Sequence, residues 1–132
     1  MAFTPSGPFH FTAPKEFSGK KEDFEEFSFK LRAYLCLMDP KYNDDLNVIE
    51  SNLETEITDA HFYDGTGNLK ADLLARATSL QWILAGLCSG TASTQLRRDS
   101  NSTNGFESWR KLNNRYTIPS RGKSSWQTLQ DT

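Results

Sequence analysis

The residues that could do chemistry in this 132-residue chain are two histidines, two cysteines and a few short Gly-containing segments. His10 and His61 stand about fifty residues apart, and no serine occupies the strained strand-to-helix turn of a nucleophile elbow. In Asp64-Gly65-Thr66-Gly67 a glycine separates the acid from the Thr-Gly step of an acid-protease motif, and no strand leads into it. A calcium loop needs a regular series of oxygen ligands around a central glycine. Asp64, Thr66 and Asn68 begin that rhythm, but Leu69 stands where the glycine belongs. Arg121 to Ser125, RGKSS, ends like a phosphate-binding loop, yet Thr117 occupies the position of the first glycine and a helix precedes it. Asn101 to Thr103 has the form of a glycosylation sequon and reads as a loop. Cys36 and Cys88 are far apart and make no ligand pair, so they read as reduced thiols in an intracellular, cytoplasmic protein. The expectation is no catalytic residue, no metal ligand, no cofactor and no small-molecule substrate.

The elements that carry these residues follow from size, charge and periodicity. The length suits one domain with its own core. The net charge of −2 hides an uneven distribution. Residues 1–96 hold 8 Lys/Arg against 14 Asp/Glu, whereas residues 97–132 hold 7 against 3. An acidic body with a basic end can meet copies of itself head to tail or present the end to phosphate. No apolar run reaches the ~20 residues of a membrane span, and the N-terminus lacks the basic and apolar regions of a signal peptide.

Pro5, Pro8 and Pro14 exclude a helix from residues 1–17, which read as an extended arm made sticky by Phe3, Phe9, Phe11 and Phe17, lying along the domain or, as an assembly arm through Phe3, Phe9 and Phe11, binding a neighbouring copy. From about Lys21 to Met38, Phe24, Phe27, Leu31, Tyr34 and Met38 recur at spacings that make one helical stripe. Asp39-Pro40 closes this helix and caps the next, whose stripe is Tyr42, Leu46, Ile49, Leu53 and Ile57. After a loop over residues 59–68, Asn68 is expected to cap a third helix with stripe Leu69, Leu73, Ala77, Leu80, Leu84 and Leu87. Leu74, Trp82 and Ile83 make that helix apolar on more than one side, which predicts the most buried helix, stopped by Gly90. A short helix around residues 91–98, the polar loop 99–104 and a fifth helix marked by Phe106, Trp109, Leu112 and Tyr116 follow. Pro119 closes the fifth, and residues 124–132 look like the start of a sixth that the chain cuts short. The prediction is an all-α fold: a single bundle of five to six helices over residues 18–119, behind the arm and before the further helix of 120–132.

Asn104 to Tyr116, NGFESWRKLNNRY, has the strongest contrast between faces. Its aromatic spacing is that of a buried stripe, so Trp109 reads as a core anchor with Arg110 and Lys111 solvated. Phe24, Phe27, Leu31, Leu80, Leu84, Phe106, Trp109, Leu112 and Tyr116 are the expected core. Arg97, Arg98, Arg110, Lys111, Arg115, Arg121 and Lys123 are the candidate basic rim, suited to assembly contacts or to weak, salt-sensitive binding of RNA.

Three segments, in order, resemble a known family. FSGKKEDFEEFSFKLRAYL is similar to the opening of retrotransposon Gag polyproteins, where a Phe-Ser/Asp-Gly segment precedes an aromatic-x-x-aromatic-x-x-x-Leu helix. LLARATSLQWILAGLCSGTASTQLRR resembles the helices that follow, with Leu87, Gly90 and Ala92 in a Leu-x-Gly-x-Ala-like step. The third segment matches the family's aromatic, Glu/Asp-x-Trp-x-x-Leu-x-x-x-Tyr pattern at Phe106, Glu107, Trp109, Leu112 and Tyr116, with Arg121 beyond the turn. The likeness spans about residues 16–130 and is nearest to copia-type elements. It implies an N-terminal-type capsid domain, which is not an enzyme and self-assembles into shells around the element's RNA. The family's CCHC zinc knuckle is absent from this chain, and the sequence stops where a second capsid domain would begin, as a fragment would.

If Trp109 anchors the core, Trp109→Ala should lower the unfolding free energy by roughly 3–5 kcal/mol. Denaturant titration followed by far-UV circular dichroism reads this, and an unchanged midpoint would remove Trp109 from the core.

Overall fold

Phe24, Phe27 and Leu31 share one side of α1, Lys21–Met38, in the computed structural model, which describes residues 13–99 and 104–117. Glu22 and Asp23 lie in the first turn, where the helix dipole favours anions, and Glu22, Asp23, Glu25 and Glu26 all face solvent. The buried stripe continues through Leu35 rather than Tyr34 and Met38. The spacing from Leu31 allows position 34 or 35, and the core lies on the Leu35 side. Met38 is left in water at the helix end.

Asp39 ends α1 with its N–H donating to the Leu35 carbonyl, and its carboxylate accepts from the Lys41 N–H at 3.0 Å. That turn leads into α2, Tyr42–Ser51, whose N-cap is Lys41 rather than the expected Asp39 and whose Tyr42, Leu46 and Ile49 are buried. The expected continuation to Ile57 does not occur. Asn52 takes a non-helical conformation, and Leu53 and Ile57 reach the core's edge from a loop. Within the expected loop, Asp59–Phe62 forms a 3₁₀ turn that buries Phe62.

Asn68 does not cap the third helix. Its N–H, with the N–H and hydroxyl of Thr66, donates to the Asp64 carboxylate, closing a tight turn. The helix, α3, runs Ala71–Leu87 behind Lys70, and Leu69 is exposed. Nor is α3 the most buried helix. Ala77, Leu80, Gln81 and Leu84 are its buried residues, and Trp82 stands out in water. Of its apolar surplus, Leu74 and Ile83 pack against the edge of the core and Trp82 faces outward.

Gly90 does not stop α3 but opens α4, Gly90–Asp99, with φ of 54°. Cys88 instead ends α3 in an extended conformation and pairs with Phe17. The Phe17 N–H donates to the Leu87 carbonyl at 2.8 Å, and the Ser89 N–H to the Phe17 carbonyl at 2.9 Å. Phe17 therefore belongs to the core and not to an arm. Its ring stacks on Phe27 and meets Phe24 and Tyr116 edge-on. Phe3, Phe9 and Phe11 lie outside the described residues, as do Pro119 and the proposed sixth helix.

The last helix, α5, spans Gly105–Tyr116 and touches α2, α3 and α4. Seven of its residues are buried: Gly105, Phe106, Ser108, Trp109, Leu112, Asn113 and Tyr116. Every expected core anchor is buried, and Trp109 is 1% exposed. The architecture is an all-α helical bundle, with five α-helices among the described residues.

The crossing of α5 over α3 requires glycine. A Cβ on Gly105 would lie 2.4 Å from both the Ala77 carbonyl oxygen and the Gln81 nitrogen. Both obstacles are backbone, so neither can swing aside. Gly105→Ala should therefore lower stability by about 1–3 kcal/mol or more, as overpacked interiors do. Thermal unfolding measures this, and a variant as stable as the parent would show that the crossing is looser than described.

Candidate functional site

The segment that looks most like a recognition element is α5, and its polar side chains turn onto the protein's own backbone. Asn104 caps the helix by accepting from the Glu107 N–H at 3.1 Å, while its amide donates to the Ile57 carbonyl at 2.9 Å. Glu107 accepts from the Ile57 N–H at 2.8 Å and forms a two-pronged pair with the Arg110 guanidinium. Arg110 and Asn114 both donate to the Leu53 carbonyl, at 2.7 and 2.8 Å. Four side chains of one helix edge thus satisfy three backbone groups of the loop after α2. Buried or half-buried backbone groups without such partners would carry a desolvation penalty.

Arg110 is consequently not solvated, which corrects its place in the basic rim. Sequence reasoning placed it on the wet face by helical angle alone. It could not see that the α2 helix stops early and brings Leu53 to Ile57 across that face. Lys111 and Arg115 are half-buried on α5. Arg97 and Arg98 are exposed in the last turn of α4. Arg121 and Lys123 lie outside the described residues.

The indole N–H of Trp109 donates to the Glu50 carboxylate at 3.0 Å, and Arg32 of α1 donates to the other oxygen at 2.7 Å. Glu50 therefore ties α1, α2 and α5 at one point. Deeper in the α3–α5 contact, the Ser108 hydroxyl donates to the Gln81 side-chain oxygen at 2.6 Å. On the far side of α2, Arg76 of α3 holds both Asp45 oxygens and also pairs with Asp72, which receives Lys41. Tyr42 donates to the Arg76 carbonyl at 2.7 Å, and burial pushes its hydroxyl up to about 12. Burial alone raises the Cys88 thiol to about 11, so it stays protonated and unreactive at neutral pH. Each of these perturbed groups is explained by its burial or by a partner in the fold.

A cleft of about 240 Å³ lies between residues 13–17 and α1, lined by Pro14, Phe17, Phe27, Asp23, Glu26 and Lys30. It gathers no His, Cys, Ser or Thr from the described residues. Among the described residues no group of three or more His, Cys, Asp or Glu is placed to hold a metal ion. No described helix is long and apolar enough to cross a membrane.

Sequence reading missed two kinds of residue. The first kind is the inward polar set of Glu50, Arg32, Asp45 and Arg76, whose partners are on other helices. The second is the outward apolar set: Phe29, Leu37, Met38, Val48, Tyr63, Leu69 and Trp82 are exposed. The signal for Trp82 was present, since α3 is apolar on more sides than one neighbouring layer can cover. No family model, curated protein or solved structure matches the chain.

The Glu107 site sets an acid limit. Burial would raise the Glu107 carboxyl, but the Arg110 guanidinium and the Ile57 N–H outweigh it and hold the group below its ordinary 4.5. A carboxyl lowered on folding contributes stability that is complete above the unfolded value and is lost as pH falls through the folded one. Glu107→Gln should lower stability at pH 7 by about 1–3 kcal/mol and flatten the loss of stability below pH 4.5. Urea midpoints measured from pH 7 to pH 3 test this. Parallel curves for the two proteins would show that Glu107 carries none of the acid dependence.

Proposed function

We propose that the chain is a structural self-assembly domain of the retrotransposon Gag type, one brick of a cytoplasmic particle shell that encloses the element's RNA. The observation that carries this reading is where the large apolar side chains remain in water. Phe29 is 69% exposed, Trp82 65%, Val48 63% and Leu37 61%. They stand on three helices, α1, α2 and α3. Large apolar side chains left in water on three helices suit a unit that meets several neighbours.

The interior supports the same reading. A rigid unit repeats one geometry, and weak contacts become strong when many are made at once. The aromatic cluster of Phe17, Phe24, Phe27, Trp109 and Tyr116 fixes the helices from within. The polar edge of α5 is occupied by the loop it binds, which leaves Arg110 unable to serve a phosphate. The partner in this reading is the protein itself. RNA would be held weakly and by charge, through Arg97 and Arg98. The domain does no chemistry, takes no small-molecule substrate and needs no cofactor.

A second reading, a small helical nucleic-acid-binding module, draws on the exposed Arg97 and Arg98 at the end of α4. The two readings separate by experiment. Self-assembly predicts oligomers that grow with protein concentration in light scattering and persist when RNA is absent. The binding module predicts a monomer that takes up RNA at micromolar concentration with a steep salt slope, reduced in an Arg97→Ala, Arg98→Ala variant. A protein that stays monomeric at high concentration and binds RNA in this way would replace the first reading with the second.

A further inference from the structure

Both ends of the Asn104 side chain are used by the fold. Its oxygen accepts from the Glu107 N–H at 3.1 Å and caps α5, and its amide donates to the Ile57 carbonyl at 2.9 Å. Aspartate and serine cap helices as well. Ionised aspartate, however, has no donor to offer Ile57, and serine has only one O–H on a shorter stem. Gly105 is fixed as firmly, because a Cβ there would run into the α3 backbone at Ala77 and Gln81. Two separate demands, a cap with a donor and a bare crossing point, thus place asparagine directly before glycine. It is the one Asn-Gly step in the sequence.

That step is chemically labile in water. The glycine nitrogen attacks the asparagine Cγ, so a new Cγ–N bond forms and the Cγ–Nδ2 bond breaks. Ammonia leaves with the proton of the glycine nitrogen. Water then opens the five-membered imide at either carbonyl, giving aspartate or, with the main chain rerouted through Cγ, isoaspartate. Glycine favours the attack because it has no side chain to shield its nitrogen and a backbone free to turn. In the folded chain the geometry opposes it. Ring closure needs the Gly105 nitrogen and the Asn104 Cβ on the same side of the Cα–C bond, and at the Asn104 ψ of 82° they lie on nearly opposite sides. Rotating them together would carry Gly105 off the α3 backbone and break the bonds to Glu107 and Ile57.

We propose that Asn104 is a modification site gated by folding: it persists while the first turn of α5 is docked on α3 and deamidates when that turn comes away. Local openings of this kind are part of the native ensemble. Either product resists the return. Aspartate would set a carboxylate against the Ile57 carbonyl, two acceptors with no proton between them. Isoaspartate would add a backbone carbon where the crossing already has no room for a Cβ. An opening that lasts long enough to react therefore becomes permanent, and the domain keeps a chemical record of its own unfolding. This goes beyond the self-assembly reading and does not depend on it.

Peptide mapping by mass spectrometry tests this on the full chain, held at mildly alkaline pH with and without urea. In urea Asn104 should convert, and without urea the same conversion should be at least about tenfold slower. The mass gained when the amide becomes a carboxyl separates this from isomerisation at Asp64-Gly65, which leaves the mass unchanged. The yield of refolded protein should fall in step with conversion. Asn104→Ser has no amide to lose and keeps a capping oxygen, so its yield should hold over the same incubation; mapping of the parent decides the gate whether or not this variant folds. No conversion at Asn104 in urea, or equal rates with and without urea, overturns the proposal. Converted chains that refold with the parent's melting temperature would overturn the permanence.

Discussion

The fold depends on burying the Trp109 indole without stranding its N–H. A tryptophan that is 1% exposed contributes more apolar contact than any other side chain here, but only if its nitrogen finds an acceptor. Glu50 supplies the acceptor and is itself held by Arg32, so its charge is compensated at the same place. Three helices are fixed by this arrangement. α1 contributes Arg32 below and the Phe24 and Phe27 rings beside the indole, α2 contributes Glu50, and α5 contributes the tryptophan. An aliphatic residue at 109 would leave Glu50 short of a donor as well as leaving a cavity.

A second constraint follows from the first. With Trp109 directed toward α1 and α2, the other side of α5 must lie on α3, and its first turn comes close enough that only glycine fits at 105. Ser108, one turn along, is small and hydrogen-bonds Gln81 where a larger apolar residue would force the helices apart. The third edge of α5 is then left for Glu107, Arg110 and Asn114, which hold the loop from Leu53 to Ile57. One twelve-residue helix thus has an aromatic face, a small-residue face and a charged face, each with an intramolecular partner. That is why α5, and not the more apolar α3, is the buried centre.

This division explains what could be read from the sequence. The all-α class, the α5 stripe and the central parts of the α1, α2 and α3 stripes were legible because helical periodicity is a local property of side-chain order; the ends of those three stripes were not. So was the inward direction of Phe106, Trp109, Leu112 and Tyr116. Helix ends were less legible. Asn68 has the chemistry of a cap, but the Asp64 turn claims it first, and Gly90 opens a helix where it was expected to close one. The charged candidates were least legible. Whether Arg110 faces water or Leu53 depends on where α2 stops, a long-range outcome that no local pattern near residue 110 encodes.

The same accounting bears on how such a domain can act on others. A helical protein of this size has few places to put function. Its charges can face solvent in a recognition surface, or they can be spent inside to define one packing arrangement. Here Arg32, Arg76 and Arg110 are spent inside, on Glu50, Asp45 and Glu107 respectively. Such partly buried pairs add modest net stability, and removing one partner leaves the other charge uncompensated. Apolar surface has the reverse distribution, with Phe29, Leu37, Val48 and Trp82 left outside after the core is complete. In the self-assembly we propose, that outer apolar surface is what neighbouring copies would meet, while the paired charges hold each copy's interior in one arrangement.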